Sequence, residues 1–152
     1  AIANWPETLG RDGARTPMPW VGGAPNSGFS TVEPWLPVDP GHDALAVDAQ
    51  HAKPESTLAF ARRAVALRAA YPALRSGSPG FVEAPEPAVA FERAAGAERL
   101  LCVFNLGADE AAWQPAEPHW RLVATSDAGM PADGAPPAML PGMTGYVAVL
   151  PA

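Results

Sequence analysis

The stretch Gly10-Arg11-Asp12-Gly13-Ala14-Arg15-Thr16-Pro17-Met18-Pro19-Trp20 carries most of the information in this chain. Its glycines and prolines exclude a regular helix or an interior strand, so the stretch is expected to be a loop. Charged side chains on such a loop, with Trp5 and Trp20 on either side, are typical of a site for a polar ligand. Arginine offers a planar fork of donors, and tryptophan offers an apolar face to a sugar ring. An arginine cluster that only ties the loop to its neighbours fits the spacing equally well.

Further motifs follow in order through the first half of the chain. They are Trp5-Pro6, Asn26 before Gly28-Phe29-Ser30-Thr31-Val32-Glu33-Pro34-Trp35-Leu36-Pro37-Val38, Val47-Asp48-Ala49-Gln50, and a helix that opens with Ser56-Thr57-Leu58 and ends with Tyr71-Pro72-Ala73-Leu74. With the first stretch, these motifs closely resemble the late-barrel region of the α-glucosidases and oligo-1,6-glucosidases of the α-amylase superfamily, glycoside hydrolase family 13. An ordered match of this length is far more specific than a single glycine motif.

The resemblance implies an α+β fragment. Residues 1–75 would be the C-terminal end of a (β/α)8 barrel, with the substrate loop and the last helix, and residues 76–152 would be an antiparallel β-sandwich. The barrel of such enzymes takes ~250 residues, more than the 152 present here. The family's catalytic trio (an aspartate nucleophile, a glutamate acid/base and a second aspartate) lies upstream of the Gly-Arg-Asp loop. The resemblance therefore implies a C-terminal piece with no catalytic residue of its own.

The resemblance also implies roles for the loop residues. The first arginine of the family's Arg-Asp-x-x-Arg pattern helps to recognise a glucosyl hydroxyl at the non-reducing end, and Arg11 matches it. A buried donor of this kind rejects a sugar without the hydroxyl, because the arginine would be left unpaired. Asp12 and Arg15 are expected to brace the loop through a local ion pair, with direct sugar contact as the alternative. Trp20 is expected either to stack on a sugar or to be a buried anchor of the loop.

The pattern of apolar residues divides the chain into three parts. Residues 1–52 are rich in proline and show no period. Residues 54–71 are predicted to form a helix, because Phe60, Ala64 and Leu67 repeat at helical spacing. From about residue 79, short apolar runs separated by turn residues predict about six to eight strands. The clearest of these runs are residues 81–84, 89–93, 99–104, 120–125 and 146–150.

Composition narrows the classes of partner. A formal net charge of −6, with only 10 Lys and Arg, argues against nucleic acid and anionic membranes as partners. No run of residues reaches the ~20 apolar residues of a membrane span.

The three histidines are far apart in the sequence, so no metal site is expected, and no motif indicates a cofactor. Cys102 lies in an apolar run and is expected to be a small buried hydrophobe. A bacterial cytoplasmic location is expected, with the periplasm as the alternative.

The carboxylates of the proline-rich part are not expected to be catalytic. A glycosidase needs two carboxylates held across one bond, and the spacing of these residues does not position such a pair. Solvated or capping roles are therefore expected for Glu33, Asp39, Asp43 and Asp48.

Three functions agree with these observations. The first is the C-terminal part of a retaining α-glucosidase, which removes terminal glucose from oligosaccharides of the maltose, isomaltose or sucrose type through carboxylates outside this chain. The chain alone would then be inactive. The second keeps the fold but changes the reaction to that of a sucrose isomerase, trehalose synthase or transglucosidase, which share similar loops. The third is a non-catalytic β-sandwich that binds polysaccharide or supports a neighbouring domain. We favour the first.

Overall fold

The computed structural model describes residues 12–127 and 133–151, and the chain divides into two compact units between Arg62 and Arg63. The helices are α1 (Val47–His51), α2 (Thr57–Ala70) and α3 (Ala73–Ser76), with short 3-10 turns at Asp12–Ala14, Pro25–Gly28 and Pro40–Leu45. The strands are β1 (Ser78–Val82), β2 (Ala88–Ala95), β3 (Glu98–Asn105), β4 (Ala111–Ala112), β5 (Arg121–Thr125), β6 (Met139–Leu140) and β7 (Gly145–Val149). No helix in the described ranges is long and apolar enough to cross a membrane.

The predicted helix is present as α2, although it begins later than expected. Ser56 acts as its N-cap: the Ser56 hydroxyl oxygen accepts a hydrogen bond from the Ala59 amide at 3.2 Å. The helix therefore starts after Ser56, and Pro54 lies in the preceding turn and not in the first helical turn. None of the residues of α2, all of which are described, is buried, and Phe60 and Val65 are 43% and 69% exposed. The expectation that this helix packs on barrel strands remains a prediction.

The strands form two antiparallel layers, as the sequence predicts. A five-stranded sheet has the order β1-β2-β3-β7-β5, and β4 pairs with β6 in a second, two-stranded sheet. The β2–β3 hairpin turns at Gly96, whose φ of +59° suits glycine in a two-residue loop. In the described residues after position 80 there is no helix. The predicted antiparallel β-sandwich is thus confirmed.

Two strands were not anticipated from the sequence. β4 and β6 contain two residues each and lie among turn residues, so no alternation of apolar and polar positions is visible. β1 also begins earlier than expected, because Ser78 and Pro79 already pair with β2. Proline is tolerated there, since β1 is an edge strand of the sheet.

The core lies between the two sheets. Its buried members come from both layers and include Leu140 of β6; they are Ala90, Leu101, Val103, Trp120, Leu122, Leu140, Tyr146 and Ala148. On β3, Leu101 and Val103 face this core. Leu100 and Cys102 point to the opposite face of the sheet, since side chains alternate along a strand, and they are also buried, at 0% and 3% exposure. The central strand is therefore covered on both faces.

Asn105 joins the end of β3 to the turns around it. The side chain is 1% exposed. Its amide nitrogen donates to the carbonyl oxygens of Asp109 at 2.8 Å, Leu140 at 3.0 Å and Pro141 at 3.2 Å. Its carbonyl oxygen accepts from the Gly107 amide at 2.9 Å. One buried side chain thus joins the segment between β3 and β4 to the end of β6.

We expect Asn105→Ala to lower the free energy of unfolding by about 2–4 kcal/mol, because it leaves several buried backbone groups unpaired. Urea unfolding of the chain measures the loss. Asn105→Asp should be nearly as harmful, because a carboxylate cannot donate to three carbonyl oxygens. The exposed Glu110→Ala serves as the control. Wild-type stability of Asn105→Asp would show that the amide is not the critical donor.

We expect the Cys102 thiol to be unreactive in the folded chain. Burial raises its pKa from 9.0 to about 11, and the thiolate is the reactive form. A thiol reagent at about pH 8 should therefore label Cys102 only after unfolding. Because the unfolded chain releases this proton first, the free energy of unfolding should also fall as the pH rises from about 9 to about 11. Cys102→Ala should reduce that slope, and the fall that remains above about pH 10 should come from Tyr146, whose pKa burial also raises. Rapid labelling of the folded chain would contradict the assigned burial.

Candidate functional site

The structure describes three of the four candidate binding residues. Arg11, like Trp5, lies outside the described residues. Asp12 opens a 3-10 turn in which the Arg15 amide donates to the Asp12 carbonyl oxygen at 2.9 Å, and both side chains are exposed. The ion pairs Arg99–Glu92 and Arg99–Glu117 include neither Asp12 nor Arg15. The expected ion pair between Asp12 and Arg15 is therefore absent, and these two residues are joined through their backbone.

Trp20 is fixed by its backbone while its ring remains accessible. Its amide donates to the Ser27 carbonyl oxygen at 2.9 Å, and its own carbonyl accepts from the Asp48 amide at 3.1 Å. The side chain is 49% exposed. Main-chain hydrogen bonds thus fix the Trp20 backbone, but the residue is not buried, and its stacking on a sugar remains a prediction.

A carboxylate links the start of α1 to the loop after Trp20. Asp48 accepts from the Gly22 amide through both oxygens, at 3.1 and 3.3 Å, and from the Ala49 amide at 2.7 Å. A Cβ on residue 22 would come within 3.1 Å of the Asp43 carbonyl oxygen. Asp48 lies within the first turn of α1, whose N-cap is Ala46, so it holds a loop amide 26 residues away in the sequence and does not cap the helix.

A strained turn at Pro25–Gly28 holds the part of the loop that follows Gly22. Asn26, Ser27 and Gly28 all have positive φ, at 51°, 51° and 69°, which is unusual for the two residues that are not glycine. The Asn26 amide nitrogen holds this conformation by donating to the carbonyl oxygens of Ser30 at 3.1 Å and Val32 at 3.0 Å. The sequence Asn-Ser-Gly is a turn signal, although it does not predict three consecutive left-handed residues. Backbone strain of this kind is concentrated at functional sites.

The remaining carboxylates of this segment form no catalytic pair. Asp39 accepts from the Gly41 amide at 2.8 Å and caps the turn Pro40–Leu45. Glu33 and Asp43 are exposed. Within the part of the chain that the structure describes, no group of three or more His, Cys, Asp or Glu side chains could hold a metal ion. Among the described residues of this segment, Asp39 and Asp48 hold backbone amides, and no pair of carboxylates is positioned for glycoside cleavage.

The β-sandwich contains one prominent charged cluster. Arg99 pairs with Glu92 and Glu117, each at 2.9 Å, and lies 5.5 Å from the ring centroid of Trp120. Hydrogen bonds to Glu117 and then to Glu92 raise the pKa of Arg99. Arg99 therefore joins β3 to Glu92 of β2 and to Glu117 in the segment before β5.

Tyr146 is the other unusual titratable group in this unit. Burial raises its pKa, and its hydroxyl has no hydrogen-bond partner among the described residues. The ring packs in the core between the sheets, where no charged side chain belongs to the cluster. The hydroxyl is therefore a structural feature of the core and not part of a site.

Comparison with known proteins places this loop in a family. Residues 1–77 match the family model of the α-amylase catalytic domain. A probable α-glucosidase of Rhizobium meliloti (strain 1021) is 45% identical over 111 residues, which are 73% of this chain and 20% of that protein. A probable oligo-1,6-glucosidase 2 of Bacillus subtilis (strain 168) is 34% identical over 105 residues, which are 68% of this chain and 18% of that protein.

A solved structure extends the likeness over the whole chain. The α-glucosyl transfer enzyme XgtA matches with a TM-score of 0.73 and 36% identity, over 99% of this chain and 28% of the XgtA chain. The chain spans about a fifth of the length of the curated relatives it matches. The family match ends at Gly77, between α3 and β1, and the structural match continues through the β-sandwich. The resemblance seen in the sequence is confirmed: this chain belongs to the α-amylase family, glycoside hydrolase family 13, and is similar to its α-glucosidases and oligo-1,6-glucosidases.

Proposed function

We propose that this chain is the C-terminal part of a retaining α-glucosidase that removes terminal α-linked glucose from oligosaccharides. The observation that carries the proposal is the match of residues 1–77 to the catalytic-domain family, which includes the Arg11 loop but no pair of catalytic carboxylates. The 45% identity to a probable α-glucosidase supports the choice of reaction. In this proposal the nucleophile and the acid/base come from the part of the enzyme upstream of Ala1.

The division of the chain follows from the same proposal. Residues 1–75 complete the (β/α)8 barrel, and residues 76–152 form the C-terminal β-sandwich. The end of the family match at residue 77 supports this boundary. Barrel enzymes bind their substrates on the loops that follow the strands, and the fixed loop around Trp20 and Asp48 suits that role.

The proposed mechanism separates recognition from bond cleavage. An upstream aspartate attacks the anomeric carbon while an upstream glutamate protonates the glycosidic oxygen, so the glycosidic bond breaks, the rest of the oligosaccharide leaves and a glycosyl-enzyme intermediate forms. Water, which gives a proton to the same glutamate, then displaces the aspartate and releases glucose with retained configuration. Arg11 donates to a hydroxyl of the terminal glucosyl unit and orients it for attack. Asp12 and Arg15 shape the turn that presents Arg11, and the half-exposed Trp20 offers its ring to the sugar.

A second reaction, glucosyl transfer to a sugar acceptor, is favoured by one observation. The α-glucosyl transfer enzyme XgtA resembles this chain over 99% of this chain's residues. Transfer and hydrolysis share the same glycosyl-enzyme intermediate and differ in whether a sugar or water resolves it. The ratio of transfer products to free glucose, measured with the full-length enzyme and maltose, separates the two reactions.

For the parent enzyme we propose the bacterial cytoplasm as the cellular location, with the periplasm as the alternative.

We expect the isolated chain to release no p-nitrophenol from p-nitrophenyl α-glucoside and no glucose from maltose or isomaltose. The reason is that both catalytic carboxylates are supplied from elsewhere. The full-length enzyme, prepared in the same way, is the positive control. Turnover by the purified 152-residue chain, with contaminating enzyme excluded, would disprove this assignment.

In the full-length enzyme, we expect Arg11→Ala to lower kcat/KM far more than it lowers Tm. Losing one charge-assisted hydrogen bond in a desolvated pocket costs roughly 1.5–3 kcal/mol, or about 10- to 150-fold in kcat/KM. Arg11→Lys should not restore activity, because a point charge cannot replace the guanidinium fork. The matched control is Arg15→Ala, which should mainly lower Tm. Near-normal kcat/KM for Arg11→Ala would make Arg11 a structural residue.

A further inference from the structure

The Gly-Arg-Asp loop ends in a short stretch whose backbone is held from two sides. We call residues 19–22 the loop exit. On one side, the amides of Trp20 and Val21 both donate to the carbonyl oxygen of Ser27, at 2.9 and 3.0 Å. Ser27 is 2% exposed, so this side of the loop exit is bound to a buried residue.

Helix α1 holds the other side of the loop exit. The Val47 amide donates to the Pro19 carbonyl oxygen at 3.0 Å. The Asp48 amide donates to the Trp20 carbonyl oxygen at 3.1 Å. Amides in the first turn of a helix have no partner within the helix, and here they bind the loop. Because its carboxylate also accepts from the Gly22 amide, Asp48 holds the loop exit through both its backbone and its side chain.

The loop exit is also in close contact with the residues before α1. A Cβ on residue 22 would lie 3.1 Å from the Asp43 carbonyl oxygen and 3.9 Å from the Ala46 Cβ. Ala46 is fully buried. A side chain at position 22 would therefore push the loop exit away from α1. Gly22 permits the close approach that the hydrogen bonds to Asp48 require.

The position of α1 is itself fixed by polar contacts with its neighbours. The Gln50 amide nitrogen donates to the Leu45 carbonyl oxygen, and the Gln50 side-chain oxygen accepts from the Leu58 amide at 3.0 Å. The Ser56 hydroxyl donates to the Gln50 carbonyl oxygen at 2.9 Å. A helix as short as α1 is not stable by itself, so these contacts with the start of α2 keep it in place. The loop exit is thereby held by a helix that cannot shift freely.

The side chains of this region remain accessible although the backbone is fixed. Met18, Trp20 and Val21 are between 44% and 49% exposed, so packing within this chain does not explain why their backbone is held so firmly. Binding sites, in contrast, need side chains held within about 0.5 Å of the productive geometry. Of the three, Trp20 has the ring that can stack on a sugar, and both its amide and its carbonyl are bound.

We propose that Asp48 is a positioning residue for sugar recognition, which holds the Trp20 ring in place for stacking on the terminal glucosyl unit. This inference rests on the proposed function, because it requires an α-glucoside at the Arg11 loop. Asp48 does not touch the sugar in this proposal. Its carboxylate acts through Gly22 and its amide acts through Trp20. Since stacking binds substrate and transition state alike, its loss raises KM and leaves kcat unchanged.

The first test compares aspartate variants of the full-length enzyme with p-nitrophenyl α-glucoside, because aglycone release counts hydrolysis and transfer together. We expect Asp48→Ala to raise KM about 10-fold at near-normal kcat, because the carboxylate's hydrogen bond to the loop is lost. Asp48→Asn should stay within about 3-fold of the wild-type KM, since its carbonyl oxygen still accepts from the Gly22 amide. An Asp48→Ala variant with lower kcat and unchanged KM would have lost only folded enzyme, and that result would overturn the proposal.

Asp39→Ala is the matched control for this test. The Asp39 carboxylate also accepts from a glycine amide, that of Gly41 at 2.8 Å, but within its own turn and away from the loop exit. We expect Asp39→Ala to lower Tm and to leave KM unchanged. An equal rise in KM for Asp39→Ala and Asp48→Ala would show a general effect of destabilisation and would count against the proposal.

A double-mutant cycle tests whether Asp48 acts through Trp20. Trp20→Ala should raise KM, and adding Asp48→Ala should raise it less than about 2-fold further, because the position of a missing ring no longer matters. Independent effects of the two substitutions would overturn the proposal, as would a Trp20→Ala variant that changes only Tm. If Asp48→Ala fails to fold, Gly22→Ala disturbs the same contact from the loop side and should reproduce the rise in KM.

Calorimetric titration with 1-deoxynojirimycin, a glucose-shaped amine, separates this inference from the proposed reaction. Its affinity for the full-length enzyme does not depend on turnover, and we expect Asp48→Ala and Trp20→Ala each to weaken it about 10-fold. An enzyme that shows this dependence but cleaves no α-glucoside would contradict the proposed function and support the positioning role. Equal affinity of the wild type and both variants, in an enzyme that does cleave α-glucosides, would overturn the positioning role alone.

Discussion

The middle of the central strand β3, residues 100–103, is buried on both faces, and the structure of the β-sandwich follows from this requirement. A strand of this kind needs a protein layer on each side of the sheet. The core around Leu101 and Val103 supplies one layer, closed by β6. The other layer begins at α3, where Ala73 is held by Arg93 and Glu98. The cover of this face of the sheet therefore includes residues that belong to the catalytic-domain match.

The first unit, which ends at Arg62, is stabilised by hydrogen bonds more than by burial of apolar side chains. Asp48 secures Gly22, and Asn26 secures a turn with three left-handed residues. Such a segment keeps its backbone in place while Trp20, Phe29 and Trp35 remain exposed. A fixed backbone that presents accessible aromatic and charged side chains is suited to ligand recognition. In our proposal this unit recognises the sugar, and carboxylates from the rest of the enzyme cleave the bond.

The sequence was informative where local chemistry decides the structure. The Gly-Arg-Asp loop identified the family, and apolar runs such as 99–104 predicted the long strands within one or two residues. Prediction failed where contacts between residues far apart in the sequence determine the local structure. The partner of Asp48 is 26 residues away, and β4 and β6 exist only because they pair with each other. The ion pair expected between Asp12 and Arg15 did not form, because charge spacing along a sequence does not fix the directions of side chains in an irregular loop.

Trapping the glycosyl-enzyme intermediate of the full-length enzyme locates the nucleophile that this chain is proposed to lack. The enzyme is treated with 5-fluoro-α-D-glucosyl fluoride, which slows the hydrolysis of the intermediate, and the labelled peptide is identified by mass spectrometry. We expect a single label, on an aspartate upstream of Ala1, with Asp12, Asp39, Asp43 and Asp48 all unmodified. A label on any carboxylate within residues 1–152 would contradict the proposed separation of recognition from catalysis.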